Sequence, residues 1–163
     1  MSSTLTNPTV NASLGGSLLP PNSAINQAVA AAAMNQFKLT VGNGAGQADG
    51  IVSMDRTVTA GTPDVIVLTA LSDYVGYSVS CVRIVAVIIQ SKSSTPGQTL
   101  THGGGTNPYY AADPRPIGPS GNAEWASPID GGPTVVGGTN NNLQVTASTG
   151  TVAYTIRMLT RSA

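Results

Sequence analysis

Charged side chains are scarce in this sequence. Seven basic and seven acidic residues make up 9% of the 163 and cancel to zero formal net charge, where an ordinary soluble domain carries roughly 25%. Only two of the cations are lysines, and all are scattered along the chain. Nucleic acid is therefore not an expected partner, because phosphate backbones are bound by clustered Lys and Arg. Cysteine is almost missing as well. Cys81 stands alone, so no internal disulfide can form, and a reducing compartment is the mild inference. With one histidine and one cysteine, a zinc-type ligand set is not expected, and neither is a cofactor. No apolar run reaches the roughly 18 residues of a membrane span, so membrane contact is not expected. Residues 1–22 lack a basic start and are broken by Gly and Pro, unlike a signal peptide. Asn11-Ala12-Ser13 fits the N-glycosylation triplet, a match that is common by chance.

What the chain does contain is punctuation and alternation. Its 19 glycines and 11 prolines are spread between short runs of period two, as in proteins of many strands joined by turns. The run "IVSMDRTVT" puts Val52, Met54, Arg56 and Val58 on one face and Ser53, Asp55, Thr57 and Thr59 on the other. Further strands are expected at "FKLTV", "DVIVLTAL", "TLTH", "AEWASPI", "PTVVG", "LQVTAS" and "VAYTIRMLT". Ahead of them, residues 1–22 read as an arm with no core of its own, able to reach about 70 Å if fully extended. Ser23 can cap a short helix over about 24–36, where an alanine run supplies helix formers. The expected fold is all-β: an antiparallel, jelly-roll-like β-sandwich over 37–163, with an N-terminal extended arm and short helix over 1–36. An immunoglobulin-like sandwich is the alternative topology.

One strand raises a specific question. "VSCVRIVAVIIQS", residues 79–91, is apolar on both faces through its middle, whereas a half-wet strand alternates. A second sheet is expected to cover one face, and another copy of the protein, or a larger assembly, the other. A neutral, charge-poor surface also favours association.

Catalytic patterns do not emerge. His102 lies in "TLTHGGG", no G-x-S-x-G elbow is present, and "GPSGN" at 118–122 fails that spacing. A polar residue at a strand end is the plainer account of His102. Cys81 reads as core, since a nucleophilic thiol needs exposure and a lowered pKa. Asp64, Asp73, Asp113 and Asp130 sit beside Gly, Pro or Ser and read as turn residues. "GNGAGQADG" has no Lys-Ser/Thr after it and reads as a connection, not a phosphate loop. No enzyme is expected. The polar residues that stand out are cations and tyrosines. Arg56 and Arg83 fall on otherwise apolar strand faces, either packed with their heads in solvent or paired with a carboxylate at a subunit interface. Tyr109, Tyr110 and Arg115 lie on the proline-stiffened "NPYYAADPRPIGP", a composition suited to protein contact. These five are the candidate interface residues; catalytic, cofactor and metal residues are not assigned.

The stretch from "VRIVAVIIQ" through "GQTLTHGGGTNP", "GPSGNAEWASPIDG" and the last strand after "STGT" resembles a recurring class of small tailed-bacteriophage virion proteins. The similarity spans about residues 50–160 and includes "LTAL" at 68–71. It implies a non-enzymatic, β-rich component of the virion. The trimeric cement or decoration proteins of the capsid exterior, assembled in the host cytoplasm and bound to the major capsid protein, are the most similar type. The expected function is thus structural: a homo-oligomer, a trimer, that stabilises the head by bridging capsid subunits. The alternative is a carbohydrate- or receptor-binding sandwich of a head or tail fibre, with Tyr109, Tyr110, Trp125 and nearby Asp or Asn as a sugar platform.

Overall fold

The computed structural model describes residues 9–18, 29–73, 76–127 and 130–162. In chain order the strands are β1 (Thr9–Leu18), β2 (Val29–Lys38), β3 (Thr40–Val41), β4 (Gln47–Ala48), β5 (Gly50–Thr59), β6 (Asp64–Val67) and β7 (Leu71–Ser72). They continue as β8 (Ser78–Val79), β9 (Arg83–Ser91), β10 (Leu100–His102), β11 (Asp113–Ile117), β12 (Asn122–Ala126), β13 (Asn142–Ala147) and β14 (Thr151–Arg161). One 3-10 turn, Leu68–Ala70, follows β6.

Eight of these strands form two four-stranded antiparallel sheets, ordered β11-β10-β13-β6 and β12-β9-β14-β5. The pairing is nested. Within the eight, the first strand lies beside the last (β5 with β14), the second beside the second-last (β6 with β13), then β9 with β12 and β10 with β11. That nesting, with the strands divided between two sheets, is the jelly roll. Period two explains each inner face. Val52 and Val58 of β5, Leu143 and Val145 of β13, and Val152, Tyr154, Ile156 and Met158 of β14 are buried in one core, and it joins side chains of both sheets.

The doubly apolar strand is closed differently from expectation. The pairing of β14 with β9 shifts register between Leu159 and Thr160, so Leu159 faces Ala86 while Thr160 faces Ile84. Val85 is the extra residue of this bulge. Ile84, Val87 and Ile89 enter the main core, whereas Val85 packs with Leu39, Ala48 and the half-buried Leu159 in a second cluster. The chain's own segment 39–48 therefore covers the second face at this point. "GNGAGQADG" is correspondingly no loose connection, since β3 and β4 pair in parallel across it. Farther along β9, Ile88 is half-buried and Gln90 exposed on the outer face. Cys81 falls between β8 and β9 and is buried, as expected of a core thiol.

Three other expectations need correction. The helix over 24–36 is not formed where the chain is described. Residues 29–38 are strand β2, paired antiparallel with β1 from Thr9↔Lys38 to Leu18↔Val29; 24–28 lie outside the described residues. Helix propensity is a weak prior, and a short helix without packing is marginal in water; here antiparallel pairing over ten residue pairs, which joins the inward-pointing backbone groups of the two strands, takes its place. Within the expected arm, Thr9–Leu18 is extended, about 33 Å over ten residues, but paired with β2; residues 1–8 and 19–22 lie outside the described residues. "PTVVG" forms no strand; Val135 instead donates its N–H to Val82 in a loop. Residues 113–117, expected as loop because of two prolines, form the edge strand β11, where a missing N–H is tolerated.

Candidate functional site

The two sheets meet along two lateral seams, and the seams differ. At the first, β5 lies against β6. Arg56 comes from the inner face of β5, beside Tyr154 of β14 in the sheet. It donates from Nε and Nη2 to both oxygens of Asp64, at 2.7 and 2.5 Å. The Tyr154 hydroxyl donates to Asp64 Oδ2 at 2.7 Å. The Arg56 guanidinium, helped by that hydroxyl, holds the Asp64 carboxyl below the usual carboxylate range. Arg56 thus has a carboxylate partner, and that partner belongs to the same chain. A bidentate pair with a third donor is the geometry in which such a pair contributes to stability.

The carboxyl's lowered value also sets a sign. As pH falls, the unfolded chain takes up the proton first. The stability contributed by Asp64 is therefore full above its ordinary value of 3.8 and is lost as pH falls through the folded value. Asp64→Asn should lower the melting temperature near neutrality and flatten its decline on the acid side. Acid limbs of equal steepness in wild type and variant would rule this out.

At the second seam, β11 and β12 leave a groove with a cavity volume of about 620 Å³. His102 ends β10 and is only 8% exposed. Its Nδ1 is 2.8 Å from the Tyr110 hydroxyl, and the two rings meet edge to face at 5.6 Å. Its Nε2 is buried without a hydrogen-bond partner, 4.0 Å from Asp113 Oδ2. A carboxylate facing Nε2 favours the tautomer that carries the proton there, with Nδ1 accepting from Tyr110. Burial, the largest influence, lowers the His102 pKa and keeps the ring neutral. Asp113 accepts from Arg115 Nε and Nη2 at 3.0 and 2.6 Å and from the Arg115 backbone N–H at 2.9 Å. Arg115 thereby holds the Asp113 carboxyl far below its usual range. Across the groove, the side chain of Trp125 in β12 lines the wall and is 38% exposed.

The other candidates separate. Tyr109 is corrected from a contact residue to core: it is 3% exposed, and its hydroxyl accepts from the Ile84 N–H at 3.2 Å. Burial pushes its pKa up to about 12. Tyr110 sits in the groove, half-buried, and Arg115 is on its rim with the side chain 87% exposed. Arg83 lies elsewhere. It donates to the Gly132 carbonyl at 2.7 Å and lines a shallower depression of about 590 Å³ with Arg161 and Asp130. Asp113 is not singled out by the sequence, because a residue before proline reads as a turn. The readable signal is Asp113 and Arg115 two apart, which in an extended strand places both on one face.

The outer faces of the sheets also differ. One carries Glu124, Arg157 and Asp55 among its neighbouring pairs. On the other, Val65 and Val67 of β6 pair with Gln144 and Asn142 of β13, and Thr146 pairs with Thr101 of β10, their hydroxyls 2.6 Å apart. These residues include no charge. Val65 and Val67 are each 41% exposed.

Among the described residues, no three His, Cys, Asp or Glu side chains gather as a metal-binding group. No helix of the described residues is long and apolar enough to cross a membrane. Comparison with protein-family models, curated proteins and solved structures finds no match to the chain.

Proposed function

We propose that this jelly roll is a structural virion protein, a trimeric cement that sits on a capsid exterior and joins neighbouring capsid subunits. The observation that carries the proposal is the uncharged outer face built from Val65, Val67, Asn142, Gln144, Thr146 and Thr101. A β-sheet face with half-exposed valines and no ionic group avoids the heavy desolvation cost of charges and gains about 25 cal/mol for each Å² of apolar area removed from water. It suits flat, close contact with another protein surface. Support also comes from the sequence resemblance to phage virion proteins and from the jelly roll itself, a fold that recurs in capsid proteins and also in lectins. The need for a partner falls on β6, whose two exposed valines face outward, and not on β9, whose bulge the chain's own residues cover.

The isolated protein is expected to scatter light as a trimer. The association should persist from low salt to about 1 M, where screening is nearly complete. Val67→Glu places a charge on the uncharged face at a position already 41% exposed. It should disperse the assembly and leave the monomer's circular dichroism unchanged. A monomer at every concentration, or an assembly dissolved by salt, would refute the proposal.

A further inference from the structure

The groove between β11 and β12 has no part in that assembly contact, and its chemistry is of another kind. Its walls place one half-exposed indole, Trp125, opposite hydrogen-bonding groups of both senses. Asp113 accepts, and Arg115 donates. Small apolar side chains, Ala111, Ala112 and Ala123, are among the rest of the lining. The cavity, about 620 Å³, falls within the range of small-molecule sites.

Two observations narrow the ligand. First, the Nε2 of His102 is buried without a partner, 4.0 Å from Asp113 Oδ2, on a side chain that is 9% exposed. Leaving such a donor unmade is costly. A ligand hydroxyl can lie at ordinary hydrogen-bond distance from two atoms 4.0 Å apart, and a modest side-chain shift would admit it. It would accept from the imidazole N–H and donate to the carboxylate, a double role that a hydroxyl fills and an ammonium or carboxylate does not. Second, the Asp113–Arg115 pair offers a carboxylate and a guanidinium side by side, held by a bidentate contact. Planar, polydentate groups of this sort match adjacent hydroxyls. The exposed indole supplies a flat surface for the C–H face of a ring.

We infer that the groove between β11 and β12 is a binding site for a neutral saccharide, with one pyranose ring against Trp125 and its hydroxyls shared among Asp113, Arg115 and His102. An anionic ligand would meet the Asp113 carboxylate. An extended peptide would find β11 a poor edge to pair with, since Pro114 and Pro116 offer no N–H. Tyr109 has no place in the site, being core; Tyr110 acts through His102, whose ring it orients.

Trp125 is the only tryptophan in the chain, so its emission reports on the groove directly. The full-length protein is titrated with glucose, galactose, mannose and N-acetylglucosamine and with their β-linked disaccharides. At least one should give a saturable change in Trp125 emission. Arg115→Ala, at a side chain 87% exposed and so without consequence for folding, should weaken that binding roughly tenfold or more, the usual scale of a lost charge-assisted hydrogen bond. Asp113→Asn should do the same, with the circular dichroism melt recorded alongside. Absence of any saturable change up to roughly 100 mM sugar, well beyond the weakest specific binding, overturns the proposal. So does an unchanged affinity in Arg115→Ala, or saturation only by a sialylated sugar or a peptide. Val67→Glu should leave the titration as it is, so loss of assembly and loss of sugar binding are separate outcomes.

Discussion

Tyr154→Ala is expected to cost about 3–5 kcal/mol, the range for emptying a large buried aromatic site. Tyr154 is 0% exposed, one of the largest side chains fully enclosed by the fold, and stands in the middle of the sheet formed by β12, β9, β14 and β5. Its ring fills the core at the seam between β5 and β6, and its hydroxyl finishes the Asp64 site. Burial, with the hydrogen bond to Asp64 adding to it, raises the phenol's pKa far above its ordinary value. The hydroxyl is therefore a donor throughout the working pH range. Tyr154→Phe keeps the ring and removes only that donor. Asp64 would still accept from Arg56 twice, so the loss should be near the lower end for a bond to a charged group, roughly 1.5 kcal/mol. Urea denaturation of the two variants measures the split. If Tyr154→Phe costs as much as Tyr154→Ala, the polar lock dominates the seam and the filled volume does not.

The contrast between the two seams shows which features can be read from a sequence. Alternation in "IVSMDRTVT" and "VAYTIRMLT" is enough to place Val52, Val58, Val152 and Tyr154 inside, and the structure buries all four. Strand number and long connections point to the jelly roll. The Arg56–Asp64 pair is half legible: an arginine on an apolar face needs a carboxylate, and its partner lies eight residues away across a turn of the same chain. The groove is also half legible: Tyr110, Arg115 and Trp125 stand out in the sequence, but not the way its members from three strands come together. His102, Asp113 and Trp125 meet through the pairing of β10 with β11 and the stacking of sheet edges, neither of which leaves a spacing in the sequence. The bulge at Val85 is hidden for a related reason. A continuous apolar run looks the same whether a partner subunit covers its second face or the chain bends one residue out of register and covers it with Leu39 and Ala48. In the N-terminal segment, local propensity favours helix, and pairing with β1 prevails.

Gly103→Ala should be among the most damaging single-methyl changes in the described loops, because a positive φ and a clash with backbone coincide at that residue. Gly103 follows His102 with φ at +82°, in the left-handed region that an L side chain occupies at a cost of roughly 1–2 kcal/mol. A Cβ there would also stand 2.5 Å from the carbonyl oxygen of Ala111 and 2.7 Å from the Tyr110 ring. The carbonyl is backbone and cannot rotate aside, while the Gly103 N–H is tied to Gln144 at 2.8 Å. Gly61 separates the two costs: its φ is +81°, and nothing lies within 4 Å of its added Cβ. Gly61→Ala should therefore show the conformational cost alone, and Gly103→Ala should exceed it by at least about 1 kcal/mol, within the usual range for a strained packing change. The excess has a chemical direction. Relief must come from displacing Tyr110 and segment 111–112, and Tyr110 fixes the His102 ring. Gly103→Ala should then perturb Trp125 emission and the sugar titration, whereas Gly61→Ala, near the turn between β5 and β6, should leave both unchanged. Equal losses of stability in the two variants, with an intact groove in each, would mean that the loop after β10 yields freely and does not support the histidine beside it.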